Sequence, residues 1–528
     1  MGYDLVIKNG HIIDGTGRLR FKANIYVDEA KIAKVSTDGP EYGDEVIDAK
    51  GMIVCPGFLD MHSHADLTLF ENKQAESFIH QGVTTLYFTP DGWSPAPVVE
   101  MHRKDLKNYY ETLAFGASLP FNWTTYDDYF NKLEEGGLGV NVRANVGFGT
   151  IRIDAIGFEM REPSQAEMEH MKELVDQAFR DGVCGLSTGL TYYPQCYSTT
   201  QEVLELCGVV AKYGGIYHTH TRGGIEGVME ALELGERSGV PVNLTHMTPS
   251  DEIYAVIEGA KARGVDVTFD AYPYTAGSSF LSGIYLPSWV HEGGSDAMLE
   301  RIMKPEVRER ISREWKQSPP EMWPNGSRNT PLIAWCQNKK CRKYEGKTVN
   351  EVAEMMDVPL IDAFCNLLIE NKANVMRVGL NSRLHKNVKR AFQHPLMLIG
   401  SDGWAMAPYG SLHVGYPHPR CYGTFPKILG MYVRLMGLLT LEEAVKKMTW
   451  ASAQRMLIKD RGALRKGMGA DITIFNPETV IDNATYWNPH QYPTGIEYVI
   501  VNGKITIERG EHTGTLAGNV LRYKSKAE

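Results

Sequence analysis

Six side chains of the kinds that bind metals stand at the ends of apolar, β-prone runs in this 528-residue chain. His62 and His64 close "MIVCPGFLDMHSH", Asp91 follows "TTLYFTP", His220 ends "GIYHTH", His246 follows "PVNLT" and Asp402 follows "PLMLIGS". Residues i and i+2 on a strand point the same way, so His62 and His64 can aim two imidazoles at one point. Imidazoles with carboxylates suit zinc, and also iron, manganese or cobalt. Pro90-Asp91-Gly92 and Ser401-Asp402-Gly403 are also ordinary turn sequences, so a local structural role competes for both aspartates.

These side chains converge only if the strands carrying them share one mouth. Eight candidate strands alternate with helical patterns: "MIVCPGFLDMHSH", "TTLYFTPD", "VNVRANVGFG", "CGLSTGL", "GIYHTH", "PVNLTHM", "VDVTFDAYPY" and "PLMLIGSDG". One intervening helix, "SQAEMEHMKELVDQAFRDG", opens on Pro-Ser and stops at Gly. Eight β-α units predict an α/β fold, a (β/α)8 TIM barrel in which every C-terminal strand end faces the same side. The chain's ends, "DLVIKNGHIIDGTG" and "EYVIVNGKITIERG", both alternate around Asn-Gly turns, and "ADITIFNPETV" adds another strand. The expectation is a small β-sandwich domain from residues 1–54 and 465–528, with the barrel over 55–464. Between the seventh and eighth strands the pattern breaks for over a hundred residues. Within that stretch 286–344, rich in Trp, Pro and charge, is expected to be an inserted lid-like segment, a dimerisation arm being the alternative.

Composition narrows the partners. The chain is 43% hydrophobic and 23% charged, with a formal net charge of −9, ordinary for a soluble globular protein. No Lys/Arg run or basic aromatic patch points to nucleic acid, and no run of 18 apolar residues points to a membrane span. The N-terminus reads as a strand pair and not a signal peptide, so a cytoplasmic location is expected. The eight cysteines are scattered and read as reduced thiols, and "CQNKKC" is slightly wide for a zinc knuckle. A small molecule is the expected partner, with no nucleic acid and no membrane, and homo-oligomerisation is left open.

"CPGFLDMHSHADL", "HTHTR", "LTHM" and "IGSDG" resemble the amidohydrolase superfamily. "QGVTTL", "LSTGLTYYP", "DAYPYTAGSS", "LPSWVHEGG", "HPRCYGTFPKILGMYVR" and "LTLEEAVKKMT" resemble its N-acyl-D-amino-acid deacylase (D-aminoacylase) branch. The resemblance implies that His62, His64, His220 and His246 bind one or two Zn2+ or other divalent ions. It implies that Asp402 binds metal and moves a proton from the attacking water to the leaving amine. It also implies that Arg420, Tyr272, Ser278 and Tyr192 hold the carboxylate of an acyl amino acid, Arg meeting it with a planar fork.

Several positions depart from the branch pattern. The branch has a bridging Cys where this chain has Asp91, a Lys where it has Thr248, and an acidic continuation where Gly223-Gly224 follow "HTHTR". A carboxylate can also bridge two ions, so Asp91 is expected as a ligand to one or two metals. The stretch between Asp402 and Arg420 is longer than the pattern and carries Trp404, Tyr409 and Tyr416, which suggests a more aromatic pocket. Three functions are in view: N-acyl-D-amino-acid deacylase, hydrolase of another linear or cyclic amide, and a non-catalytic scaffold.

Overall fold

The computed structural model describes residues 2–39, 42–117, 120–317 and 331–525. Eight parallel strands form its centre: Phe58–Asp60, Val83–Phe88, Asn141–Ala144 (resuming after Asn145 as Val146–Gly147), Gly185–Gly189, Ile216–His220, Val242–Leu244, Val267–Ala271 and Met397–Ile399. Two backbone bonds join the ladders at their seams. Met61 N–H donates to Ile399 O at 2.9 Å, and Cys184 N–H donates to Ala144 O at 2.9 Å. The order of strands thus returns on itself as a (β/α)8 barrel. All six residues of Val83–Phe88 are buried, which is why such strands read as unbroken apolar runs.

The connecting helices obey the chain's own start and stop signals. Gln165–Asp181 opens with a capping box between Ser164 and Glu167 and ends at Gly182, whose φ is 112°, a left-handed conformation that glycine adopts without a Cβ penalty.

The first candidate strand divides in two. Ile53–Pro56 pairs with Ile472–Phe475 and His11–Ile12 in a sheet built from both chain ends, and only Phe58–Asp60 enters the barrel. Gly57 lies at the crossing, where a Cβ would collide with Thr84. The seven-stranded terminal sheet packs on a four-stranded one, ordered Lys31–Ser36, Asn24–Asp28, Leu5–Lys8 and Glu45–Asp48. Leu5, Ile25, Val27, Ile472 and Ile500 share the core between them. The last described residues leave this sandwich: Leu521 N–H bonds Val142 O and Tyr523 N–H bonds Gly182 O, both at 2.8 Å, on the barrel. The expected span 465–528 therefore does not lie wholly in the sandwich, because this tail finds backbone partners on the third barrel strand and at the end of the helix Gln165–Asp181.

The excursion between the seventh and eighth strands is broader than the expected 286–344. It has its own antiparallel sheet, with Val375–Gly379 between Gly277–Phe280 and Leu332–Cys336. Four helices, Gly294–Ile302, Pro305–Gln317, Val349–Met356 and Leu360–Glu370, enclose a separate apolar core that includes Met298, Ile311, Ile333 and Phe364. The part of the expected lid at 318–330 lies outside the described residues. All eight cysteines are free, Cys336 and Cys341 included. Among the described residues no helix is long and apolar enough to cross a membrane.

Candidate active site

The six residues singled out by type and position meet at the barrel mouth. Asp91 Oδ2 lies 3.5 Å from His62 Nε2, 3.7 Å from His64 Nε2, 3.9 Å from His220 Nδ1 and 3.5 Å from His246 Nε2. Asp402 Oδ1 lies 3.2 Å from His64 Nε2 and 3.7 Å from His62 Nε2. The donors fall into two adjoining groups that share Asp91: His62, His64 and Asp402 on one side, His220 and His246 on the other.

Backbone geometry holds the candidate ligands where they are. Asp402 N–H donates to His62 O and His64 N–H to Gly403 O, both at 2.8 Å, tying the extended ends of the first and eighth strands. Asp91, His246 and Asp402 have φ of 57°, 36° and 57°, left-handed values that cost about 1–3 kcal/mol each in a non-glycine residue and cluster at functional sites. Gly92, with φ of 74°, retains the turn role read in the sequence, and a Cβ there would overlap Gln195.

Three supporting residues were not singled out from the sequence. Asp270 accepts from His246 N–H at 2.8 Å and from Asn243 Nδ2 at 2.7 Å, and lies 3.3 Å from His218 Nε2 and 3.7 Å from His62 Nδ1. Asp60 accepts from His62 N–H at 3.1 Å and Ser401 N–H at 2.8 Å. Asp60 and His218 stand two residues before His62 and His220, and that alternation was the available signal.

The electrostatics call for a cation. Burial pushes the Asp91 carboxyl up, but His62 and His246 outweigh it and hold it well below the usual carboxylate range. For Asp402, burial is likewise outweighed by Arg420 and His64. Burial pushes the His64 imidazole down, yet hydrogen bonds to Asp402 and Asp91 raise it to about 9. Burial and neighbouring His246 depress His220 to about 3. Both ring nitrogens of fully buried His62 lack a hydrogen-bond partner, and His220 Nδ1 faces His246 Nε2 at 3.0 Å. Nitrogen and carboxylate donors left facing one another in this way fit a divalent metal, which would also displace the proton on His64.

A cavity of about 510 Å3 opens beside Asp402, and Tyr192, Tyr272 and Ser278 line it. Arg420 is fully buried behind them. Its Nη1 lies 2.8 Å from Asp402 Oδ2 and donates to Tyr272 OH at 2.9 Å, while Nη2 donates to Ser278 O at 3.3 Å. Of the three aromatic residues in the long loop, Trp404 stacks on His64 with ring centroids 5.3 Å apart. Tyr409 is instead exposed and bonded to Glu76, and Tyr416 packs against Gly346.

A barrel with this cluster at its C-terminal mouth defines a metal-dependent amidohydrolase. The amidohydrolase family model matches residues 45–507, and the chain belongs to that family. It is 31% identical to the D-aminoacylase of Alcaligenes xylosoxydans xylosoxydans over 98% of this chain and 97% of that one. It is also 31% identical to the N-acyl-D-glutamate deacylase of the same organism, over 95% and 93%. Among solved structures, the N-acyl-D-glutamate deacylase of Bordetella bronchiseptica, complexed with zinc and a phosphonate mimic of the tetrahedral intermediate, superposes with a TM-score of 0.82 at 29% identity, covering 99% of this chain and 100% of that one. The scaffold reading of the sequence is set aside.

Proposed function

We propose that this amidohydrolase is a zinc-dependent N-acyl-D-amino-acid deacylase, cleaving the amide to a carboxylate and a free D-amino acid. The observation that carries this reading is the two-faced position of Asp402. One oxygen meets the histidine cluster and the other the Arg420 guanidinium, which brings proton transfer and carboxylate recognition within one side chain of each other. His62, His64, His220, His246, Asp91 and Asp402 would hold one or two zinc ions, which supply Lewis acidity and water acidified to a pKa of about 7.

Within that frame Asp402 accepts the proton of the attacking water at a carboxylate oxygen and returns it to the leaving nitrogen, a role worth about 10²–10⁴-fold in rate. Arg420 shares its fork between Asp402 and the substrate α-carboxylate. Tyr272, Tyr192 and Ser278 wall the cavity and orient the amino-acid part. The test is a screen of zinc-loaded protein against N-acetyl-D- and L-amino acids, N-acyl amines and cyclic amides, with metal content measured by elemental analysis. Release of free amino acid from the D series is expected. Turnover confined to cyclic amides or uncharged amides would overturn the reading.

A further inference from the structure

Asp402 borders two spaces of unlike size and chemistry. One is a recess of about 20 Å3 lined by His64, Asp91, Trp93, Leu113, Phe280 and Trp404. The other is the 510 Å3 cavity, which Ser382 and Arg383 also line. Both residues sit on the loop after Val375–Gly379, in the excursion, and Arg383 N–H donating to Thr275 O at 2.9 Å fixes that loop. Arg383 Nη1 and Ser382 Oγ are buried, and each lacks a hydrogen-bond partner. Among the described residues no carboxylate pairs with Arg383; its guanidinium carbon lies 4.1 Å from the Tyr272 ring centroid, and that of Arg420 lies 4.8 Å from the same ring. Both side chains are half-buried, and a shielded guanidinium nitrogen and hydroxyl without acceptors are costly unless a ligand brings the acceptors.

A scissile amide has an acyl side and an amine side, and on the deacylase reading above, the α-carboxylate belongs to the amine side. The larger cavity has the room and the positive charge for that side. The acyl group is left with the small aromatic recess, which suits a short alkyl chain and disfavours a charged one. On that reading Arg420 is shared between Asp402 and the α-carboxylate, whereas Arg383 and Ser382 offer a separate guanidinium and hydroxyl in the same cavity. We propose that Arg383 and Ser382 form a second carboxylate receptor that selects short-chain N-acyl derivatives of acidic amino acids, aspartate or glutamate.

The experiment compares N-acetyl-D-glutamate, N-acetyl-D-aspartate, N-acetyl-D-leucine and N-succinyl-D-alanine on wild type, R383M, R383K and S382A, each checked for fold by circular dichroism and for metal content. Methionine keeps the packing on Tyr272 and removes the charge. Wild type should favour an acidic substrate over N-acetyl-D-leucine by about tenfold or more in kcat/KM. R383M should lose about 100-fold on the acidic substrates, chiefly in KM, and less than about threefold on N-acetyl-D-leucine, the size expected for a charge-assisted bidentate contact. R383K should recover part of the loss, and S382A should lose less than R383M with the same substrate bias. Equal losses on acidic and neutral substrates, no loss at all, or a preference for N-succinyl-D-alanine would overturn the proposal. If no acyl amino acid is turned over, the deacylase reading falls by itself, and glutarate then reads the receptor. A rise in Tm of wild type that R383M lacks would uphold it, and no rise in wild type would remove it.

Discussion

Asp402 Oδ2 and Arg420 Nη1 form a 2.8 Å ion pair at the floor of the cavity, with Arg420 wholly buried and Asp402 nearly so. The same Nη1 donates to Tyr272 OH, so one guanidinium fixes the Asp402 carboxylate relative to the cavity wall. Removing one partner of such a buried pair leaves the other uncompensated, at a cost of about 3–5 kcal/mol.

Arg420→Ala should therefore affect every substrate, and acyl amino acids most. Loss of the Asp402 contact lowers kcat on an N-acyl amine, while loss of the carboxylate contact adds a rise in KM that only acyl amino acids feel. The expected gap between the two substrate types is about tenfold or more in kcat/KM. Equal losses on both would make Arg420 a positioning residue alone, with no part in holding the substrate.

Asp91 Oδ2 lies within 3.9 Å of all four histidines, and it is the group that both halves of the cluster share. Asp91→Ala should lower metal content by at least one ion per chain in elemental analysis, and kcat with it. Wild-type metal content and activity in that variant would return Asp91 to the turn role that Pro90 and Gly92 suggest.

Asp270 touches three of the surrounding groups, through His246 N–H, Asn243 Nδ2 and the His218 ring. In Asp270→Asn one acceptor oxygen becomes a donor, which must face at least one of those donors. Residues that orient metal ligands in this way typically contribute about 10–100-fold to metal affinity. A chelator competition titration should register a loss of that order, and an unchanged affinity would show that the ligand positions do not depend on Asp270.

The positions that form the cluster were legible because the five strands carrying them are buried runs that end at or just before a His or Asp, and a parallel barrel leaves only one mouth for those ends. Asp60, His218 and Asp270 were harder to see. They lie inside the runs, where a buried histidine or aspartate also fits an ordinary hydrogen-bonded core. The excursion hid more, since the strand partner of Gly277–Phe280 lies about a hundred residues later, at Val375–Gly379. Arg383 reaches the cavity only through that long-range pairing and the loop after it. No local spacing links it to the barrel mouth. The tail at Leu521 and Tyr523 joins the barrel through backbone bonds, which leave no imprint on side-chain pattern.

A final prediction concerns stability away from the metal cluster. Asp154 lies in the helix Phe148–Ile156, buried, with Oδ1 accepting from Val99 N–H at 3.3 Å and Oδ2 without a partner. Burial pushes its pKa up to about 7, against partial relief from the Val99 bond and Arg103. A folded-state pKa above the unfolded one means that the folded protein binds the proton more tightly. The stabilisation is complete below about pH 4, the unfolded value, and is lost as pH rises through 7, where the carboxyl must ionise in place. Asparagine keeps the acceptor for Val99 and cannot ionise. The Tm of Asp154→Asn minus that of wild type should therefore increase steadily from pH 4 to pH 8, by an amount corresponding to a few kcal/mol. A pH-independent difference would mean that Asp154 is already ionised in the folded protein across this range.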